Sequence, residues 1–221
     1  MEQGILPSQE SPDNLNEKKG DFMSSYYGEF KVSVPEGKSG SWEVKRFEVT
    51  KHDEEIDRLR AVINGRGRYC PAGTYTKLSC NGVIVMSDTR DEIRDHRYFI
   101  EEAEGNILIS GLGLGMVLNG CLKKPEVAHA TVIEISPDVI NLVGNYYMRL
   151  YGDRLTIINA DIMEWKPPKG VKYDYIWHDI WDAICSDNLK QMTKLHRKFS
   201  KVTVKSQGSW CERECRRLAR S

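Results

Sequence analysis

The stretch Ile107-Leu108-Ile109-Ser110-Gly111-Leu112-Gly113-Leu114-Gly115-Met116 decides the fold of this chain. Its apolar first half predicts a buried strand, and three glycines at alternate positions predict a turn before a helix from Met116 to Leu122. A second apolar run, Ala130–Ile133, ends on the carboxylate of Glu134. Together they form a βαβ unit, in which the backbone can approach a ligand closely and the acid can accept hydrogen bonds from a ribose diol.

Strands and helices alternate in the second half of the chain, which predicts a parallel sheet with right-handed crossovers. Ser136-Pro137 predicts the start of a helix that extends to about Leu150. A helix at Ser186–Phe199, a short strand at Lys201–Lys205 and a basic terminal helix capped near Ser209 follow. The predicted strands are Asn106–Ser110, Ala130–Glu134, Leu155–Asn159 and Tyr173–Asp179. The predicted fold class is therefore α/β and Rossmann-like, a mostly parallel sheet with flanking helices.

The first half of the chain predicts a small α+β subdomain that contains a β-hairpin. Asn81-Gly82 lies between two β-prone runs and suits a type I′ turn. Glu54–Ile63 places apolar residues on one helical face, and Thr89–Glu92 has the pattern of a capping box. We predict a flexible polar arm over residues 1–40, the hairpin subdomain over 41–104 and the Rossmann-like domain over 105–221.

Composition narrows the class of protein. The chain has 221 residues and a formal net charge of +0, which gives no global electrostatic reason to bind nucleic acid or an anionic membrane. It has no apolar run of about 20 residues, which a membrane span needs. Its six cysteines include no CxxC pair, so we expect reduced thiols, a cytoplasmic location and no metal site.

Ligands of open α/β sheets bind beyond the carboxyl ends of the strands, where four predicted loops carry suitable groups. Asp161 could accept from an exocyclic amine or cap a short turn, and Ile162 could pack on a flat base. His178 could act in acid–base chemistry or simply pack in the core. The candidate cofactor-binding residues are Gly111, Gly113, Gly115, Glu134, Ile135, Asp161, Ile162 and Asp179, and the candidate catalytic residues are Asp179, His178 and Asp182.

The glycine spacing indicates the class of ligand. A dinucleotide fold favours GxGxxG, whereas this loop reads GxGxG and places Met116 where that pattern has its third glycine. The spacing therefore favours an adenosine joined to an amino acid, without a pyrophosphate. A nicotinamide oxidoreductase ranks last among the alternatives.

The chain resembles the class I S-adenosylmethionine-dependent methyltransferases and, within them, the spermidine synthase group. Motifs in the family's order carry this resemblance: Asn81–Glu92, the glycine loop, Val132–Ile140, Asn159-Ala160-Asp161 and Tyr173–Asp182. It implies S-adenosylmethionine as cofactor, with the glycines along its methionine part, Glu134 at the ribose and Asp161 at the adenine. It also places Asp179 beside the transferred group, where in an aminopropyltransferase it deprotonates the attacking amine.

Departures from the family pattern leave the activity open. Leu114 stands where spermidine synthases have an acid that grips the aminopropyl amine, so the amino-acid end of the cofactor would fall to backbone groups or to Asp88, His96 or Asp179. The first hypothesis is a methyltransferase with a small-molecule acceptor. The alternatives are an aminopropyltransferase and a non-catalytic nucleoside-binding module. The sequence does not fix the oligomeric state, and a homodimer is one alternative.

Overall fold

The computed structural model describes residues 27–63 and 69–220. An antiparallel sheet in the order β1-β2-β3-β4 precedes a parallel sheet in the order β7-β6-β5-β8-β9. The strands are β1 (Gly37–Ser39), β2 (Trp42–Val49), β3 (Gly73–Cys80), β4 (Val83–Ser87), β5 (Gly105–Ser110), β6 (Val127–Glu134), β7 (Leu155–Asn159), β8 (Tyr173–His178) and β9 (Thr203–Ser209). The predicted α/β class with a parallel sheet is confirmed.

Helices connect most of the strands, and the first of them lies between β2 and β3 of the antiparallel sheet. They are α1 (Lys51–Ile63), α2 (Arg90–Glu102), α3 (Met116–Leu122), α4 (Pro137–Val139), α5 (Asn145–Tyr151), α6 (Asn188–Phe199) and α7 (Glu212–Leu218). A π-helical turn, Ile140–Gly144, joins α4 to α5. Ser136 caps α4 as predicted, because its hydroxyl accepts from the Val139 N–H at 3.3 Å. In the described residues, no helix combines the length and the apolar character needed to cross a bilayer.

The central strand β5 explains why the parallel sheet is buried on both faces. Ile107 and Ile109 belong to one apolar cluster and Leu108 to another on the opposite face, and all three are at most 2% exposed. Successive side chains of a strand point to opposite faces. An uninterrupted apolar run is therefore what a strand covered by helices on both sides requires.

The predicted hairpin is present, with Asn81 and Gly82 at φ 51° and 79° between antiparallel β3 and β4. Two predicted caps are wrong. The Thr89 hydroxyl pairs with the Ser87 hydroxyl at 3.0 Å and not with the helix, and Cys211 precedes α7 in a left-handed conformation without a side-chain cap. The Thr89 hydroxyl is taken by a neighbour two residues away, whereas the Cys211 thiol contacts the distant Asp95 at 3.5 Å.

Three further expectations differ from the structure. Residues 1–26 of the predicted arm lie outside the described residues, but Val32 and Val34 of the same segment are buried in the core. The predicted apolar face of α1 points outward, since Leu59, Val62 and Ile63 are 65%, 79% and 81% exposed. The predicted strand at Lys201–Lys205 instead runs from Thr203 to Ser209 and forms an edge of the parallel sheet.

Asp88 joins the segment that precedes β1 to the antiparallel sheet. Its carboxylate is 1% exposed and accepts from the N–H groups of Val32 (3.1 Å) and Thr76 (2.6 Å). A buried carboxylate is tolerated only when such donors surround it. Both oxygens of Asp88 are thus occupied by the backbone, and Asp88 is a structural residue.

Replacing Asp88 by Asn is expected to lower the free energy of unfolding by about 1–3 kcal/mol, since the Asn oxygen accepts from one N–H group while its amide nitrogen leaves the other without an acceptor. The exposed Asp153→Asn serves as the matched control and should change stability by less than about 0.5 kcal/mol. Urea denaturation of the three proteins measures this. Equal midpoints for the two variants would contradict the role given to Asp88.

Candidate functional site

A cavity of about 550 Å³ lies between the antiparallel sheet and the carboxyl ends of the parallel strands. This volume suits a small molecule of nucleoside size or larger. Strand order reverses between β5 and β8, and the cavity opens at this switch point. Its lining includes Trp42, Leu78, Met86, Glu92, Gly111, Gly113, Glu134, Ile135, Asp161, Ile162, Asp179, Ile180, Trp181, Asp182 and Trp210.

Hydrogen bonds between the strand ends fix the loops that form the cavity. The Gly111 N–H donates to the Ile133 carbonyl and the Asp179 N–H to the Ser110 carbonyl, each at 2.8 Å. Gly111 has φ +89°, and a Cβ there would come within 2.0 Å of the Asp179 carbonyl oxygen. Only glycine allows the glycine loop, residues 111–115, to lie this close to the residue that follows β8.

Glu134 ends β6 and is 7% exposed. Its Oε2 accepts from the Leu112 N–H at 2.7 Å, and its Oε1 accepts from the Ser136 N–H at 2.8 Å. Each oxygen retains a lone pair, and the residue lines the cavity. Glu134 can therefore fix the glycine loop and also receive a ribose diol, the role that the sequence predicts.

The loop after β7 carries the two residues that the sequence predicts at the adenine. Asp161 caps a short turn, because its Oδ1 accepts from the Met163 N–H at 2.7 Å, and it also lines the cavity. Ile162 is 4% exposed and lines the same region, as does the exposed Ile135. Capping of the turn and acceptance from an exocyclic amine are compatible roles for Asp161, since the capping bond uses only one carboxylate oxygen.

Carboxylates dominate the charge of the cavity. Glu92, Glu134, Asp161, Asp179 and Asp182 line it, and none of the described residues that line it is basic. Burial raises the pKa of the Asp179 carboxyl well above its usual range, and the charges of Glu92, Glu134 and Asp95 raise it further. A cavity of this kind favours a cationic ligand, which would stabilise the ionised form of Asp179.

Aromatic rings face the same space. Trp42, Trp181 and Trp210 line the cavity, and the Trp181 indole N–H donates to Gln191 Oε1 at 2.7 Å, which orients that ring. Indole faces attract cations and also stack on flat bases. The sequence alone does not point to Trp42, Trp210 or Glu92 as site residues, because they come from separate elements: β2, the residue after β9 and the first turn of α2.

Two predicted site residues lie outside the cavity lining. His178 is fully buried, and its Nδ1 pairs with the Ser110 hydroxyl at 2.8 Å. It is the last residue of β8 and packs against Phe199, a position that favours the interpretation as a packing residue over the catalytic one. Gly115 directly precedes α3 with φ +71°, and the Tyr147 ring occupies the place of a Cβ there. It shapes the loop without contributing to the lining.

No protein-family model matches the chain. A polyamine aminopropyltransferase 2 of Ralstonia nicotianae is 30% identical over 102 residues, which are 40% of this chain and 20% of that protein. The polyamine aminopropyltransferase of Prochlorococcus marinus is 26% identical over 133 residues, 55% of this chain and 47% of that protein. The chain is similar to the polyamine aminopropyltransferases. It spans between a fifth and a half of the length of these two relatives.

Solved structures give weaker matches. The spermidine synthase of Thermotoga maritima has a TM-score of 0.43 and 18% identity, and covers 77% of this chain and 52% of its own. The N-methyltransferase NodS of Bradyrhizobium japonicum has a TM-score of 0.41 and 18% identity, over 57% of this chain and 75% of its own. The curated relatives by themselves confirm the predicted resemblance to the spermidine synthase group, since they are polyamine aminopropyltransferases.

Glu134→Gln is expected to lower the free energy of unfolding by about 1–3 kcal/mol and to weaken the binding of an S-adenosyl compound at least tenfold. The physical reason is that the amide nitrogen of Gln faces a backbone N–H that has no other acceptor. Asp182→Asn, which removes an exposed carboxylate from the same cavity, is the control and should leave stability unchanged. Urea denaturation and calorimetric titration measure both effects, and equal behaviour of the two variants would contradict this assignment.

The pH dependence of stability tests the burial of His178. Burial lowers the pKa of His178 to about 3, so the unfolded chain binds a proton that the folded chain does not bind between pH 6.5 and about 3. Stability is therefore lost as the pH falls through this window. Between pH 6 and 4, the slope of unfolding free energy against pH should be smaller by about 1.4 kcal/mol per pH unit in His178→Asn than in the wild type. The exposed His52→Asn should retain the wild-type slope, and parallel curves for all three proteins would refute the prediction.

Proposed function

We propose that this chain transfers an aminopropyl group from decarboxylated S-adenosylmethionine to a small polyamine. The observation that carries the proposal is the charge of the cavity, which five carboxylates line with no basic side chain among the described lining residues. Both the sulfonium compound and a protonated polyamine are cations without a carboxylate. The similarity to polyamine aminopropyltransferases supports the same substrates.

The glycine loop supports the decarboxylated form of the cofactor. Four of the five N–H groups of residues 111–115 already donate within the protein: Gly111 to Ile133, Leu112 to Glu134, Leu114 to Met86 Sδ and Gly115 to Leu112. A carboxylate of ordinary S-adenosylmethionine would therefore find few backbone donors and several repelling charges. An amine-ended chain meets no such penalty.

Asp179 is the proton acceptor in the proposed reaction. When bound, the sulfonium compound supplies an activated carbon next to sulfur. Asp179 takes a proton from the acceptor ammonium, so that the nitrogen lone pair forms the new C–N bond while the C–S electron pair returns to sulfur as a thioether. The apolar and aromatic lining excludes water and aligns the two partners.

Methyl transfer to an amine is the second candidate. Leu114 is fully buried where spermidine synthases have the acid that grips the aminopropyl amine. This residue removes one aminopropyl contact, and the remaining acids of the cavity would suit a cationic methyl acceptor equally well. The two candidates differ in which form of the cofactor binds.

Calorimetric titration with decarboxylated S-adenosylmethionine, S-adenosylmethionine and S-adenosylhomocysteine separates the candidates. We expect the decarboxylated compound to bind at least tenfold more tightly than S-adenosylmethionine, which corresponds to about 1.4 kcal/mol. A preference for S-adenosylmethionine would instead favour methyl transfer. Failure of all three compounds to bind would overturn the proposed function.

Asp179→Asn is expected to reduce aminopropyl transfer to putrescine at least a hundredfold while it changes binding of the decarboxylated cofactor by less than tenfold, because the amide cannot accept the proton. The exposed Asp187→Asn, outside the cavity, is the control and should transfer at the wild-type rate. Product analysis by mass spectrometry measures both. Cofactor binding without consumption by the wild type would favour the non-catalytic binding module.

A further inference from the structure

His96 lies beneath the cavity, on the side of α2 that faces β8. It is 1% exposed and is surrounded by aromatic rings. Trp177 meets it edge-on, with ring centroids 5.9 Å apart, and Trp210 stacks on it at 6.5 Å with an interplanar angle of 22°. These contacts hold the imidazole in a single orientation.

The neighbours of His96 determine which of its nitrogens carries the proton. The Trp177 indole nitrogen is 3.2 Å from His96 Nδ1, and an indole N–H only donates, so Nδ1 must accept. Burial lowers the pKa of His96 to about 3, which keeps the ring neutral at ordinary pH. A neutral imidazole with an accepting Nδ1 has its hydrogen on Nε2. The Nε2 atom lies 3.6 Å from Asp179 Oδ2.

We propose that His96 is a positioning residue for Asp179, which as a neutral imidazole offers its Nε2–H to Oδ2 and leaves Oδ1 for the acceptor amine. The inference rests on the proposed function in that Asp179 accepts a proton there. At 3.6 Å the contact is longer than a hydrogen bond, as catalytic contacts often are before the ligand binds, and a shift of about 0.6 Å closes it.

The charges around Asp179 explain why such a donor is needed. Glu92 and Asp95 on α2 and Glu134 on β6 all raise the pKa of Asp179. Hydrogen bonding to the charged form of a carboxyl opposes this effect. A neutral N–H gives that stabilisation without a positive charge, which would compete with the cationic substrate for the same carboxylate.

Nitrogen-15 NMR of the full chain with labelled histidine tests the proposal without any assay of activity. The chain has five histidines, and the His96 signals are those that disappear in His96→Gln. We expect the neutral Nε2–H form at every pH between 5 and 8. Trp177→Phe keeps the aromatic ring and removes the indole donor, so it should mix the two neutral forms. An Nδ1–H form or an imidazolium at pH 7 in the wild type would overturn the proposal.

The pH dependence of transfer, measured as kcat/KM with saturating decarboxylated S-adenosylmethionine and varied putrescine, tests the effect on Asp179. His96→Leu should move the acidic limb up by about one pH unit and lower kcat more than it raises KM. His96→Gln should restore both, since its amide can donate to Asp179 and accept from Trp177. The exposed His52→Leu should leave the profile unchanged.

Failure of the inference and failure of the proposed function give different results. A folded His96→Leu with an unmoved acidic limb overturns the positioning role while transfer itself persists. If the wild type shows no transfer, the proposed function fails, and the NMR measurement alone decides the tautomer of His96. If His96→Leu does not fold, the acidic limb of Trp177→Phe is compared with that of His96→Gln. Equal limbs for these two variants then overturn the positioning role.

Discussion

One buried carboxylate organises the ligand end of this fold. Glu134 accepts the N–H of Leu112 from the glycine loop and the N–H of Ser136 from the segment that opens α4. Charge-assisted bonds of this kind are among the stronger polar contacts in proteins, and a carboxylate at 7% exposure requires them. The loops after β5 and β6 therefore cannot move independently, and the cavity between them has a defined shape before any ligand binds.

The same arrangement determines the charge that the cavity accepts. A glycine loop is often a site for anions because its N–H groups are free to donate. Here Glu134, Met86 and neighbouring carbonyls take four of the five N–H groups, and Glu134 adds a negative charge. With Glu92 and Asp179 close by, the cavity is costly to ionise when empty. A bound cation offsets the repulsion between these carboxylates. The cavity therefore favours cationic ligands over neutral or anionic ones.

Local sequence was sufficient for the parts of the molecule that depend on near neighbours. The apolar run before Gly111, the Asn81-Gly82 turn and the Ser136 cap each act over a few residues, and the structure contains all three. Contacts between residues far apart in the chain could not be predicted from local sequence. His96 meets Trp177 across 81 positions, and only the folded chain shows that His178 faces Ser110 and away from the cavity. The exposed apolar face of α1 was missed because periodicity predicts a helix but not what covers it.

The cavity lies at the point where the order of the parallel strands reverses. The switch point lies between β5 and β8, and β6 and β7 lie on one side of it with β9 on the other. The predicted site residues that line the cavity lie at the carboxyl ends of these strands or in the loops that follow them, and Trp210 after β9 also lines it. The geometry of the cavity therefore depends on the interior of the sheet, and its chemistry on Glu134, Asp179 and the residues that hold them in place.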